Sequence, residues 1–142
     1  LRICVAAVGR FRQREWIALV AEYTARIVHY AKFDIVEFKD DAELQSKLPK
    51  GDFVVALEVA GHRLTSRQFA QKLETWSRRG QGKIVFVIGG SEGLPSAVSE
   101  SADYQLSLSD MTLPHRLARV LLLEQLYRAQ TILRGEPYAR ES

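Results

Sequence analysis

The chain has 142 residues, of which 46% are hydrophobic and 26% charged, with 9 Gly and 4 Pro. This is material for one globular domain spanning residues 1–142, and it excludes collagen-like, low-complexity and disordered chains. Twenty basic against 17 acidic residues leave a formal charge of +3, which permits contact with a polyanion without demanding it.

The first apolar run, residues 3–8, reads as a β-strand and contains Cys4. As the single cysteine of the chain, Cys4 has no disulfide partner, and its apolar neighbours predict a buried, inert thiol. The run is too short for the core of a signal peptide. Elsewhere the wholly apolar stretches, such as residues 120–123, fall far short of the roughly 20 residues of a membrane span. A cytoplasmic protein that makes no membrane contact is expected.

Residues 13–30 carry Trp16, Leu19, Val20, Tyr23, Ile27 and Tyr30 at helical spacing, and residues 33–38 and 52–57 read as strands. Asp40-Asp41-Ala42-Glu43 and Leu48-Pro49-Lys50-Gly51 mark joints around a short helix between those strands. Residues 66–79 form a second amphipathic pattern, with Phe69, Leu73 and Trp76 on one face and Arg67, Lys72, Arg78 and Arg79 on the solvated side. Residues 83–88 are the clearest strand, and residues 104–108 suit a short last one. Pro114 fits the first turn of a final helix that runs to about Arg134, with Gly135 as its stop. Alternation of strand and helix at these lengths predicts an α/β domain, a mostly parallel sheet with helices on both faces. Leu117, Val120, Leu121, Leu122, Leu123, Leu126, Ala129, Ile132 and Leu133 cover more than one face of the last helix. A homodimer interface would bury that surface, as would a central place in the monomer core.

Two segments have the composition of a site. In Val87-Ile88-Gly89-Gly90-Ser91-Glu92-Gly93-Leu94 a strand ends in paired glycines, which permit positive φ and close approach of a ligand to backbone. The spacing is neither a dinucleotide fingerprint nor a P-loop, and by itself it suits a plain tight turn equally well. The segment Leu106-Ser107-Leu108-Ser109-Asp110-Met111-Thr112-Leu113-Pro114-His115 is a polar loop threaded with apolar residues. It can offer main-chain groups to an adenine edge while Met111 and Leu113 cover the faces of the ring, or it can simply cap the last helix. His29, His62 and His115 are too scattered for a metal site, so no metal is expected, and the familiar hydrolase signatures are missing. Arg10-Phe11-Arg12-Gln13-Arg14 and the stretch from Arg134 to Arg140 mix basic and aromatic groups, as RNA-contacting segments do and as solvated surface also does.

Val8-Gly9, Leu57-Glu58-Val59-Ala60-Gly61, Ile88 to Leu94, Leu106 to Ser109, Met111 to His115, Leu126-Tyr127-Arg128-Ala129 and Pro137-Tyr138 follow one another in an order that resembles the ribosomal large-subunit methyltransferase H family of the SPOUT superfamily. The resemblance extends over essentially the whole chain and is strongest from Ile84 to Arg140. It implies a C-terminal trefoil knot, a homodimer, and S-adenosylmethionine bound in the knot for methylation of N3 of a pseudouridine in 23S rRNA of the assembled ribosome. Carried over residue by residue, it assigns cofactor contacts to Leu57, Gly90, Ser109, Asp110, Met111, Thr112, Leu113 and Pro114.

Methyl transfer from a sulfonium requires positioning of the nucleophilic nitrogen and removal of its proton. His115 is the candidate base by residue type; the resemblance adds Tyr138, to stack on the target base, and Arg140, to stabilise anionic charge, in a tail expected to be mobile. Where relatives commonly carry histidine after that tyrosine, this chain has Ala139; Ser91 and Ala60 also replace prolines usual in the family. A non-catalytic RNA- or ribosome-binding module that keeps the knotted fold is the alternative these departures raise.

Overall fold

The computed structural model describes residues 1–48, 50–79 and 81–140; Pro49, in one of the expected joints, lies outside them. Five strands form one sheet: β1 (Arg2–Val8), β2 (Lys32–Phe38), β3 (Phe53–Arg63), β4 (Lys83–Ile88) and β5 (Tyr104–Ser107). Their spatial order is β2-β1-β4-β3-β5 and every pairing is parallel. The helices are α1 (Arg14–Ile27), α2 (Asp41–Lys47), α3 (Ser66–Trp76), α4 (Ser96–Ser101) and α5 (His115–Leu133), followed by a 3-10 turn over Pro137–Arg140.

Alternation along the central strands distributes side chains between two cores. Ile3, Val5 and Ala7 of β1 join Ile84, Phe86 and Ile88 of β4 against Phe69, Leu73 and Trp76 of α3 and Leu122, Leu123 and Leu126 of α5. Cys4, Ala6 and Val8, with Val85 and Val87, face Leu44 of α2 and Val98 of α4. Because both faces are covered, β1 and β4 are apolar almost throughout, as interior parallel strands require. Burial pushes the Cys4 thiol up to about 11, which keeps it protonated and unreactive at neutral pH.

Local chemistry sets several boundaries. The Asp40 carboxylate accepts the Glu43 N–H at 2.9 Å and starts α2. Thr65 and Gln68 form a reciprocal capping box at the start of α3, and a cap of this kind contributes about 1 kcal/mol. Gly135, at φ +66°, follows α5 as its stop.

Two expectations are corrected. β3 does not end at residue 57 but continues to Arg63, because its last residues pair again with β5 after an irregularity between Leu57 and His62. α1 stops at Ile27, and its helical pattern overstates its burial: Ile27 is its one buried residue and Leu19 is exposed. Of the two placements open for α5 the structure shows the central one: it packs against both α1 and α3, which covers most of its broad apolar surface within one subunit. Leu117 is the large apolar side chain of α5 that remains exposed.

This placement gives a direct test. Leu122→Ala, at a fully buried site, should cost about 2–5 kcal/mol in urea unfolding, and Leu117→Ala less than about 1 kcal/mol.

Candidate active site

In parallel sheets the carboxyl ends of the strands leave their connecting loops free to form a crevice. Here the segments that follow β4 and β5 meet the second half of β3 at that edge. The crevice is lined by Leu57, Glu58 and Val59 from β3, by Ile88, Gly89, Gly90 and Gly93 around the end of β4, and by Leu108, Ser109, Met111 and Leu113 after β5. His115 and Ala118 of α5 close it. Apolar residues make up most of the wall; half-buried Glu58 is the acidic residue among them.

Of the residues expected to hold a cofactor, Leu57, Gly90, Ser109, Met111 and Leu113 line this crevice, whereas Asp110, Thr112 and Pro114 belong to the same loop but not to its wall. Asp110 points away and pairs with Arg63 at the end of β3, tying the loop to the neighbouring strand. Pro114 stands just before α5, as its N-cap rather than in its first turn. Within the loop, Ser107 Oγ donates to the Ser109 carbonyl at 3.0 Å and Ser109 Oγ accepts the Met111 N–H at 2.9 Å. Those bonds shape the backbone at Met111, whose side chain at the crevice is 79% exposed.

His115 lies at the crevice with its pKa lowered from 6.5 by burial and by the neighbouring Arg116 and Arg119 charges. A lowered pKa leaves the imidazole neutral at neutral pH and able to accept a proton.

Tyr138 and Arg140 are elsewhere. The Tyr138 hydroxyl donates to Glu124 Oε2 at 2.8 Å, and its ring packs edge-on against Tyr127 at 4.6 Å with the Arg128 guanidinium 5.0 Å away. Arg128 in turn bonds Glu124 at 2.8 Å. The tail is therefore docked on α5, where Glu124 offers a half-buried acceptor to it. Burial and the bond to Glu124 push Tyr138 up to about 12, so it stays protonated. Glu124 lies nine residues beyond His115 on α5, a rise of about 14 Å; one subunit does not bring Tyr138 to the crevice.

Arg119 was not among the expected residues. Its side chain is 3% exposed and donates to Glu37 at 2.5 Å and to the Gly9 carbonyl at 2.9 Å. The available signal was an arginine in register with Leu122, Leu123 and Leu126, on the buried stripe of the helix.

Comparison with known proteins adds to this geometry. Residues 1–139 match a family model described as "Predicted SPOUT methyltransferase". A Sorangium cellulosum protein named ribosomal RNA large subunit methyltransferase H is 47% identical, with 98% of this chain and 99% of that protein covered. Proteins of the same name from an Anaeromyxobacter species and from Acetivibrio thermocellus are 43% and 36% identical, covering 97% and 99% of this chain and 99% and 100% of their own length. Among solved structures, a probable methylase family protein from Haemophilus influenzae superposes with a TM-score of 0.59 at 14% identity, covering 96% of this chain and 69% of its own, and shares the fold.

The glycine turn corrects one further expectation. Neither Gly89 nor Gly90 has positive φ; Gly93 does, at +81°. What Gly89 supplies is room: a Cβ there would stand 2.3 Å from the Gly93 carbonyl carbon, whereas a Cβ on Gly90 would meet nothing closer than Val8 Cγ1 at 3.5 Å. Gly89→Ala should therefore destabilise the fold by more than about 2 kcal/mol and Gly90→Ala by less than about 1 kcal/mol in chemical denaturation.

Proposed function

The chain belongs to the SPOUT methyltransferase family, and from that premise we propose that it methylates large-subunit ribosomal RNA, with S-adenosylmethionine as donor and N3 of a 23S rRNA pseudouridine as acceptor. The observation that carries this reading is the meeting of the glycine turn, the 108–114 loop and a neutral His115 in one crevice at the strand ends.

The crevice suits a sulfonium nucleoside by its chemistry. Leu57, Leu108, Met111 and Leu113 offer apolar faces to an adenine, the main chain around Gly90 and Ser109 offers hydrogen-bonding groups, and the Glu58 carboxylate complements a cation. Leu57, Gly90 and the loop Ser109 to Pro114 would hold the cofactor. When bound, it supplies an electrophilic methyl group. The protein's part is to hold N3 in line with that group, exclude water, and take the N3 proton onto the neutral imidazole of His115. The Arg140 guanidinium suits stabilisation of the developing anion; Tyr138, held protonated, suits stacking on the target base.

Since Tyr138 sits about 14 Å along α5 from His115, the working unit is a homodimer in which the tail of one copy serves the crevice of the other. Exposed Met111 and Leu117 give the rim an apolar surface for that contact. The trefoil knot that the family relation implies would lie in this C-terminal part of the chain, which holds β5, the 108–114 loop and α5. The partner is 23S rRNA within the ribosome, and the location is the cytoplasm. Among the described residues no group of His, Cys, Asp and Glu has the arrangement of a metal site, and no helix is long and apolar enough to cross a membrane. Ala139, in the 3-10 turn beside Tyr138, favours one second reading, a module that binds RNA without turnover.

Transfer of a labelled methyl group from S-adenosylmethionine to ribosomes lacking the modification decides between them. Label at N3 of a pseudouridine in 23S rRNA supports the enzyme; cofactor binding by calorimetry without transfer supports the module. In the enzyme, Arg140→Ala should leave cofactor affinity unchanged and depress transfer about a hundredfold, the lower range for a transition-state contact. The base works when neutral, so kcat/KM should fall as pH drops through the His115 pKa, below 6.5, and stay level above it. His115→Gln should remove that acid limb and most of the rate.

A further inference from the structure

Arg119 enters the chemistry just derived only through the charge it places near His115, yet that charge is held at 3% exposure. Its guanidinium donates to Glu37 Oε2 at 2.5 Å, to the Gly9 carbonyl at 2.9 Å and to the Val8 carbonyl at 3.4 Å. The ring of Phe11 covers it at 3.9 Å, and the Phe11 N–H donates to the same Glu37 oxygen at 2.9 Å. One side chain of α5 thus fixes Val8, Gly9 and Phe11 in the connection from β1 to α1.

Stability alone does not account for this arrangement. Burying a guanidinium carries a desolvation cost that an apolar side chain of similar volume would avoid, and the Arg119 Nε is left without a partner. What the arrangement achieves is a defined path for a loop that carries Arg10, Arg12 and Arg14. All three are exposed and pair with no carboxylate among the described residues.

The loop stands beside the crevice. β1 is the neighbour of β4, Ala7 lies opposite Ile88, and Val8 borders Gly90. Ala118, adjacent to Arg119, and His115, one helical turn before it, line the crevice wall. Anything that moves Arg119 moves the basic loop relative to the site.

We propose that Arg119 is a positioning residue for the polynucleotide substrate, holding the β1–α1 loop so that Arg10, Arg12 and Arg14 meet the phosphate backbone of the strand whose base enters the crevice. The proposal rests on the RNA-methylating reading of that crevice. Phosphate contacts fix the register of an RNA strand without reading its sequence. Guanidinium groups on a rigid support lose less freedom on binding than the same groups on a mobile one.

The test compares Glu37→Gln, which keeps the shape of the site and removes the charged partner of Arg119, with the pair Arg10→Gln/Arg12→Gln. Steady-state transfer uses ribosomes lacking the modification. Salt-dependent binding uses a single-stranded oligoribonucleotide of mixed sequence, and cofactor affinity is read by calorimetry. Glu37→Gln should raise KM for ribosomes about tenfold, with kcat and cofactor affinity within about twofold of the parent, the split expected of lost substrate binding. The paired arginine variant should do the same and flatten the log K against log salt slope by about 1.4, for two phosphate contacts to a single strand.

Combining Glu37→Gln with the pair should add less than about twofold, because coupled residues are non-additive. Phe11→Leu, which uncovers the guanidinium without removing a charge, should reproduce the KM effect if Glu37→Gln proves too unstable to assay. Independent, multiplying effects, or a loss of kcat and cofactor affinity at unchanged KM, would overturn the proposal in favour of a purely structural role. If the parent transfers no methyl group, the enzymatic reading fails, and the salt slopes still decide whether Glu37 and the arginines act as one unit.

Discussion

Main chain lies directly on main chain at two places beside the crevice, and neither contact tolerates a Cβ. At Gly89 the chain touches Gly93, and at Gly61 an added Cβ would stand 2.7 Å from the carbonyl of Gln105. The first contact folds the end of β4 back on itself, as the bridge between Gly90 and Gly93 records. The second lets β3 return to β5 after its irregularity, so that Leu106 pairs with both Leu57 and His62. Leu57, Glu58 and Val59 face the crevice because β3 departs there and rejoins its neighbour afterwards. Its wall is therefore set largely by backbone packing, which varies less than the long side chains that might otherwise have formed it.

Charge is spent in two contrasting ways along α5. Arg119 at one end is enclosed and bonded to carbonyls and a carboxylate of distant strands. Toward the other end Glu124 and Arg128, with side chains 14% and 17% exposed, form a local ion pair one helical turn apart and accept the tail through Tyr138. The first arrangement joins elements far apart in sequence and the second joins neighbours. Only the second is assembled from residues close enough in the chain to be proposed from spacing.

Much of the fold was legible because its causes are local. Short apolar runs gave four of the strands to within a residue or so, and Gly135 marked the end of the last helix through its lack of a side chain. β3 was misjudged because Glu58 and then Gly61, His62 and Arg63 break the apolar run, while the pairing that continues the strand is supplied by β5. Leu19 was misplaced because helical spacing defines a stripe without saying how much of it a neighbour covers. The glycine turn and the 108–114 loop stood out by composition, yet which glycine supplied room and which took positive φ depended on contacts within the folded turn. Arg119 was hidden for the plainest reason: its carboxylate partner is 82 residues away and its carbonyl partner 110.

The strand order has a consequence for how the polypeptide reaches this state. β4 fills the space between β1 and β3, so the first strand lacks one of its two neighbours until residues 83–88 are synthesised. α5, which covers one face of the sheet and reaches back to Gly9, arrives later still. No early segment buries a complete core of its own, and long-range parallel pairing is slow to form because the loops must close before contacts repay them. Folding is accordingly a late, whole-chain event, and a nascent chain halted before α5 exposes the apolar sheet face to chaperones and proteases.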